Sequence, residues 1–189
     1  MLKYTKFLAA LVLACSGCAA MAERPLPVAD SVEIPRFMGK WYVIASIPTP
    51  FERDAYNATE VYDYVGDGKV ATTFTYNKGS LDGPLRETNT TGFVSADNAA
   101  IWGMQFVWPF RADYRVAYVD DAHSVTIVAR EKRDFVWLMA RDPLMSDGAY
   151  AQHVQRIADM GYDTSKLVRI EHAAVEAATS IAGAAGEGG

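Results

Sequence analysis

Cysteine is almost absent from the chain. Its 189 residues include two, Cys15 and Cys18, and both lie in the first 18 positions. The body beyond them therefore has no structural disulfide, no Cys-based metal site and no catalytic thiol. Histidine is scarce as well: His123, His153 and His172 are scattered, and none forms a pair with ligand spacing, so no metal site is expected. Lys and Arg number 18 against 23 Asp and Glu, giving a formal charge of −5 with no basic cluster. That balance argues against a nucleic-acid partner and against purely electrostatic attachment to an anionic membrane. No G-x-S-x-G elbow, P-loop or GxGxxG fingerprint occurs, so no enzyme activity and no cofactor are expected.

Long apolar runs are missing too. Phe7 to Ala14 (FLAALVLA) is too short to span a bilayer, but behind Lys3 and Lys6 it has the form of a signal peptide over residues 1–22, which makes the protein an exported one. Val12-Leu13-Ala14-Cys15 resembles a bacterial lipobox, with Cys15 as the lipidation site and Cys18 as the alternative. Ordinary cleavage after Ala22, at Ala20-Met21-Ala22, is the rival. Residues 23–35 hold three prolines and no apolar period, and read as an extended tether.

What the chain has in quantity is hydrophobic and aromatic residues, 50% and 12%, enough for one well-buried core. From Lys40 to Arg141 eight short runs alternate apolar and polar residues: 40–47, 58–65, 70–76, 85–94, 99–108, 114–119, 124–130 and 135–141. Turn chemistry separates them, as at Gly66-Asp67-Gly68, Asn77-Lys78-Gly79, Asp97-Asn98 and Asp120-Asp121. Consecutive hairpins give an all-β, antiparallel, up-and-down meander that can close into an eight-stranded β-barrel, with a two-sheet sandwich as the alternative. Past Pro143 the period changes. Ser146 is placed to cap one C-terminal α-helix with Tyr150, Val154, Ile157 and Ala158 on one face and Gly161 at its end, packed outside the sheet. Lys166–Ile170 reads as a further short strand, and residues 172–189 as an Ala/Gly-rich, mobile tail.

Gly39-Lys40-Trp41-Tyr42 at the start of the first strand and Arg141 at the end of the last resemble the G-x-W and terminal-Arg pairing of the lipocalin family. The stretch from Gly39 to Val70 and the segment FVWLMARDP are similar to the bacterial outer-membrane lipocalins (the Blc type) and apolipoprotein D, over residues 33–171 in all. The family's middle motif, Thr-Asp-Tyr, falls at Val119-Asp120-Asp121, where only Asp120 agrees. The resemblance implies a 3₁₀ turn at Ile34–Met38 plugging one end of the barrel. It also implies Arg141 stacked on Trp41, and carriage of small hydrophobic molecules. For the bacterial branch it implies fatty acids or lysophospholipids, bound by a lipid-anchored protein on the periplasmic face of the outer membrane. A homodimer is left open, and an envelope-maintenance module with a filled barrel is the competing function.

If Arg141 faces inward, as in the family, alternation puts Phe135, Trp137 and Met139 on the inner face, and Trp41, Val43 and Ala45 on that of the first strand. On the fifth and sixth strands the inner sets chosen are Trp102, Met104 and Phe106 with Trp108, and Tyr114 with Tyr118. The expected ligand-binding residues are therefore Ala45, Trp102, Met104, Phe106, Tyr114, Tyr118, Phe135, Trp137 and Met139, with Gly39, Trp41, Asp120 and Arg141 as structural motif residues. The connector 48–56, with Phe51, Arg53 and Tyr56, is expected at the open end.

Overall fold

A computed structural model describes residues 24–173. The expected signal segment, Cys15, Cys18 and the tail beyond Ala173 lie outside the described residues. Eight antiparallel strands close into a barrel: β1 Gly39–Ile47, β2 Ala55–Gly66, β3 Lys69–Lys78, β4 Leu85–Val94, β5 Ile101–Val107, β6 Phe110–Val119, β7 Val125–Ala129 and β8 Val136–Ala140. Each strand pairs with its neighbour in sequence, and β1 pairs with both β2 and β8, which completes the ring. The Asp67-Gly68 turn shows why the hairpins form where they do. Both residues have positive φ, +51° and +67°, the two-residue geometry whose twist matches paired strands.

A single helical turn, α1 (Ile34–Phe37), precedes β1 and has Pro35 in its first turn. It occupies the place expected for the 3₁₀ turn, and buries Phe37 completely in the barrel floor. The residues before it, expected as an extended tether, lie against the barrel. Leu26 and Val32 are buried, the Leu26 amide donates to Glu131 Oε1 at 3.2 Å, and the Ala29 amide donates to the Val116 carbonyl at 2.8 Å.

The helix α2 (Asp147–Asp159) starts at Ser146, whose hydroxyl accepts from the Ala149 amide, and stops at Gly161, φ +90°. It packs outside the barrel, where Ile157, Met160 and Tyr162 meet Ile44, Ile127, Val136 and Leu138. The chain then returns through a 3₁₀ turn, Thr164–Lys166, to β9 (Val168–Arg169), which pairs with β1 at Ala45 and Ser46. Beyond β9 the Asn57 amide of β2 donates to the Glu171 carbonyl at 2.9 Å. The upper halves of β1 and β2, which do not pair with each other, are thus bridged by residues 168–173, and Ile170 joins the interior. Among the described residues no helix is long and apolar enough to cross a membrane.

Candidate functional site

The two ends of the barrel differ. At the closed end Phe37, Trp41, Tyr62, Trp102 and Tyr114 form a continuous aromatic floor with successive ring centroids 5.1–5.7 Å apart. Arg141 seals this floor from below. Its guanidinium carbon lies 3.7 Å from the Trp41 ring centroid, and it donates to the carbonyls of Lys40 (2.6 Å), Arg36 (2.8 Å) and Met38 (2.8 Å). Gly39 beside it holds a left-handed conformation, φ +89°, that favours glycine; a Cβ there would lie in ordinary contact with Arg141 Nη1, at 3.6 Å. Asp120 ties the β6–β7 turn by accepting from the Ser124 and Val125 amides at 2.6 and 3.0 Å. Burial opposes ionisation of Asp120, but the hydrogen bonds from Ser124 and Val125 prevail and hold its carboxyl below the ordinary value.

Above the floor the interior is not sealed. Glu60, Phe74 and Trp137 project into the barrel and keep part of their surface accessible, whereas Trp41 and Tyr62 beneath them are fully buried. Glu60 stands directly opposite Trp41 on β1 and Phe74 on β3. Glu52, from the β1–β2 connector, accepts from the Trp137 indole at 3.3 Å and from the Thr49 amide at 3.1 Å. Burial, then the neighbouring Glu52, pushes the Glu60 carboxyl up to about 8, and burial raises Glu52 too. Just below, the hydroxyls of Tyr62 and Tyr114 hydrogen-bond to each other, and burial together with Glu60 holds both well above the ordinary phenol range. The upper barrel thus sets a carboxyl pair, with phenols beneath it, among apolar side chains that keep part of their surface accessible.

Of the residues expected inside, Trp102, Met104, Tyr114, Trp137 and Met139 belong to the interior cluster. Four do not, three of them at a register shift. Ala45 packs in the outer cluster under α2, because a bulge between Val43 and Ala45 turns the strand over. Tyr118 also faces outward: the register shifts between Val116 and Tyr118, and its ring lies 5.8 Å from His153 and 4.0 Å from the Arg156 guanidinium. Phe106 is 64% exposed, beyond the last regular pair of the β5–β6 hairpin, which shifts between Met104 and Val107. Trp108 follows it into the solvent at 80% exposure. Phe135 precedes β8 and sits half-buried at the mouth, between Trp137 (6.4 Å) and the Arg130 guanidinium (5.3 Å). Sequence reasoning missed Glu60, Tyr62 and Phe74. The signal that holds them is the closed hairpin at Asp67-Gly68, which fixes the β2 and β3 registers and with them which side chains share the face of Trp41.

The open end carries an apolar rim. Phe51 in the β1–β2 connector, Leu85 at the start of β4, and Phe106, Val107, Trp108 and Phe110 around the β5–β6 turn are all 64–85% exposed. The described chain also begins there: the Arg24 carbonyl accepts from Arg133 in the β7–β8 loop at 2.5 Å.

Comparison with known proteins agrees with this architecture. Residues 32–172 match the family described as Lipocalin-like domain. The chain is 27% identical to the outer membrane lipoprotein Blc of Vibrio cholerae over 160 residues, 82% of this chain and 91% of that protein. To the protein of the same name from Escherichia coli it is 28% identical over 164 residues, 85% and 90% of the two chains. Among solved structures, insecticyanin from Manduca sexta has the same fold, with a TM-score of 0.59 at 15% identity, covering 80% of this chain and 86% of that one.

Proposed function

The chain belongs to the lipocalin family, whose members bind small hydrophobic ligands, and we propose that it carries or stores a single-chain amphiphile, a fatty acid or lysophospholipid, at the bacterial cell envelope. The observation that carries this reading is the contrast inside the barrel, an aromatic floor packed shut beneath side chains that retain accessible surface. A bound acyl chain would run down past Trp137, Phe74 and Met104 to rest on Trp102 and Tyr114. Each methylene removed from water there is worth about 0.8 kcal/mol. For a chain of a dozen carbons that term amounts to about 10 kcal/mol, before association costs of at least about 4 kcal/mol.

Two observations support an envelope location. The relatives named Blc are outer membrane lipoproteins. The apolar rim and the start of the described chain also share one end of the barrel, so an anchor on Cys15 or Cys18 would turn the mouth toward the bilayer from which a lipid is taken. The test is native mass spectrometry with lipid extraction on the body from Glu23, delipidated and then exposed to mixed fatty acids and lysophospholipids. Stoichiometric uptake that is lost in Trp137→Ala supports the reading. No uptake by the folded barrel overturns it in favour of a filled interaction module.

A further inference from the structure

Among the described residues, the interior below the mouth holds two acidic groups and no basic one. Glu60 sits at mid-depth, and Glu52 hangs above it from the mouth connector. The other titratable groups that face Glu60 are phenols: Tyr62 beside it on β2, Tyr114 across on β6, and Tyr76 farther up β3. The nearest cations are already engaged or lie at the rim. Arg141 lies beneath the floor, spent on backbone carbonyls and the Trp41 ring. Lys78 pairs with Asp54 at 3.6 Å and donates to the Arg53 carbonyl, and Arg86, opposite Tyr76, is exposed at the mouth. A carboxylate carried down this barrel would meet two carboxyls and no counter-charge.

From this arrangement we propose that the amphiphile held in the barrel bears a protonated amine in its head, and that Glu60, assisted by Glu52, is the residue that receives it. This deepens the carrier reading above and rests on it, but narrows its ligand: an amine-headed amphiphile takes the place of the fatty acid, and the head, not the chain end, lies nearest the floor. An ammonium at mid-depth supplies the missing charge, donates to a carboxylate of Glu60, and leaves its alkyl chain against Phe74, Met104 and Trp137. Because the empty site favours protonated Glu60, docking of an ammonium expels that proton. Binding therefore strengthens as pH rises toward 8, while the amine stays charged. The same chemistry is offered by a long-chain or sphingoid amine and by a lysophospholipid with an aminoethyl head.

The experiment compares dodecylamine, dodecanol and laurate, all below their micelle concentrations, with lauroyl lysolipids carrying aminoethyl or glycerol heads. Quenching of tryptophan fluorescence is followed from pH 6 to 8 on the delipidated body from Glu23. Dodecylamine is expected to bind at least tenfold tighter than dodecanol and dodecanol tighter than laurate. Only the amine should gain at least tenfold between pH 6 and 8, with about one proton released per ligand. Glu60→Gln should abolish the amine's advantage over dodecanol and its pH slope, and Glu52→Gln should reduce both in part. If the aminoethyl lysolipid outbinds dodecylamine and its glycerol counterpart, the source is a phospholipid; if dodecylamine leads, it is a simple amine. Laurate binding as tightly as dodecylamine, or an amine affinity unchanged in Glu60→Gln, overturns the head-group inference and leaves the carrier standing. Failure of every ligand, dodecanol included, overturns the carrier reading itself.

Discussion

Placing a carboxyl among apolar side chains leaves a mark on stability that can be measured without any ligand. Glu60 rises from an ordinary 4.5 to about 8 in the folded state. Between those values the unfolded chain has given up a proton that the folded chain retains, so stability must fall as pH rises through this window. At about 1.4 kcal/mol per pH unit the ceiling is about 5 kcal/mol. Because Glu60 keeps part of its surface accessible, water screens part of the penalty, and about 2–3 kcal/mol is the expected loss between pH 5 and 8.5. Glu52, also raised by burial, adds in the same direction. His153 and His172, lowered by burial, act oppositely, gaining stability as pH rises through their own titration. Glu60→Gln retains those histidine contributions and Glu52, so the comparison isolates one carboxyl. Urea unfolding followed by tryptophan fluorescence should show the wild-type midpoint falling toward pH 8.5 by about 1 M more than that of Glu60→Gln, for a slope of about 2 kcal/mol per molar. The variant should also be the more stable protein at pH 8.5. Parallel midpoint curves would refute the burial argument.

Three further perturbations probe other parts of the molecule. Arg141→Ala removes the cation over Trp41 and strands several carbonyls of the α1–β1 junction, and should cost about 3–4 kcal/mol in urea unfolding. Arg141→Lys should recover less than half, since an ammonium cannot fork to the same acceptors; equal stability of Lys and Arg would contradict the assigned role. Gly92→Val puts a side chain where even a Cβ would lie 3.1 Å from Met104 Sδ and 3.2 Å from the Trp102 ring. It should destabilise by about 1–3 kcal/mol and weaken dodecanol binding, read by unfolding and by fluorescence quenching. Replacing both Trp108 and Phe110 by Glu should lower flotation of the tag-free body with phospholipid vesicles at least tenfold, because each buried aromatic is worth about 2 kcal/mol. Undiminished flotation would move the membrane contact away from this turn.

Much of this architecture is legible in the alternation of the chain. All eight strands fall where the alternating runs place them, and Ser146 and Gly161 bound the helix as their chemistry requires. The inner face is read correctly wherever the period of two is unbroken, as for Trp102 with Met104 and for Trp137 with Met139. It fails at Ala45, Phe106 and Tyr118, where a strand slips register against its partner. A slip of one residue inverts every side chain beyond it, and nothing in the local composition announces the extra residue. Glu60 was hidden for a different reason. On β2 the inner set Ala58, Glu60, Tyr62 and the outer set Thr59, Val61, Asp63 are about equally polar, so hydropathy carries no information about which faces the core. Only pairing with Trp41 settles it.

The β1 bulge and the buried acids lie in the same half of the barrel. Toward the closed end Phe37, Trp41, Tyr62, Trp102 and Tyr114 interlock. β1 bulges above Val43 and turns Ile44 and Ala45 outward to the helix, whereas β6 bulges below Val116, toward the closed end, and turns Ala117 and Tyr118 outward there. β1 parts from β2 near its own bulge, and the returning segment 168–173 fills the opening. Of the two bulges only that of β1 borders the upper barrel; Tyr118 is turned outward near the closed end, beside the β6–β7 turn. A carboxyl at position 60 is tolerable only in the upper barrel, where water or a ligand can reach it; in the packed floor two residues away it would have no partner at all. Deleting Ile44, the bulged residue, would leave Val43 opposite Met139 and Ala45 opposite Leu138, on the faces they already hold. The loss of stability with rising pH should therefore keep its slope if the variant folds as the same barrel, and a steeper slope would show that the bulge itself shapes the surroundings of Glu60.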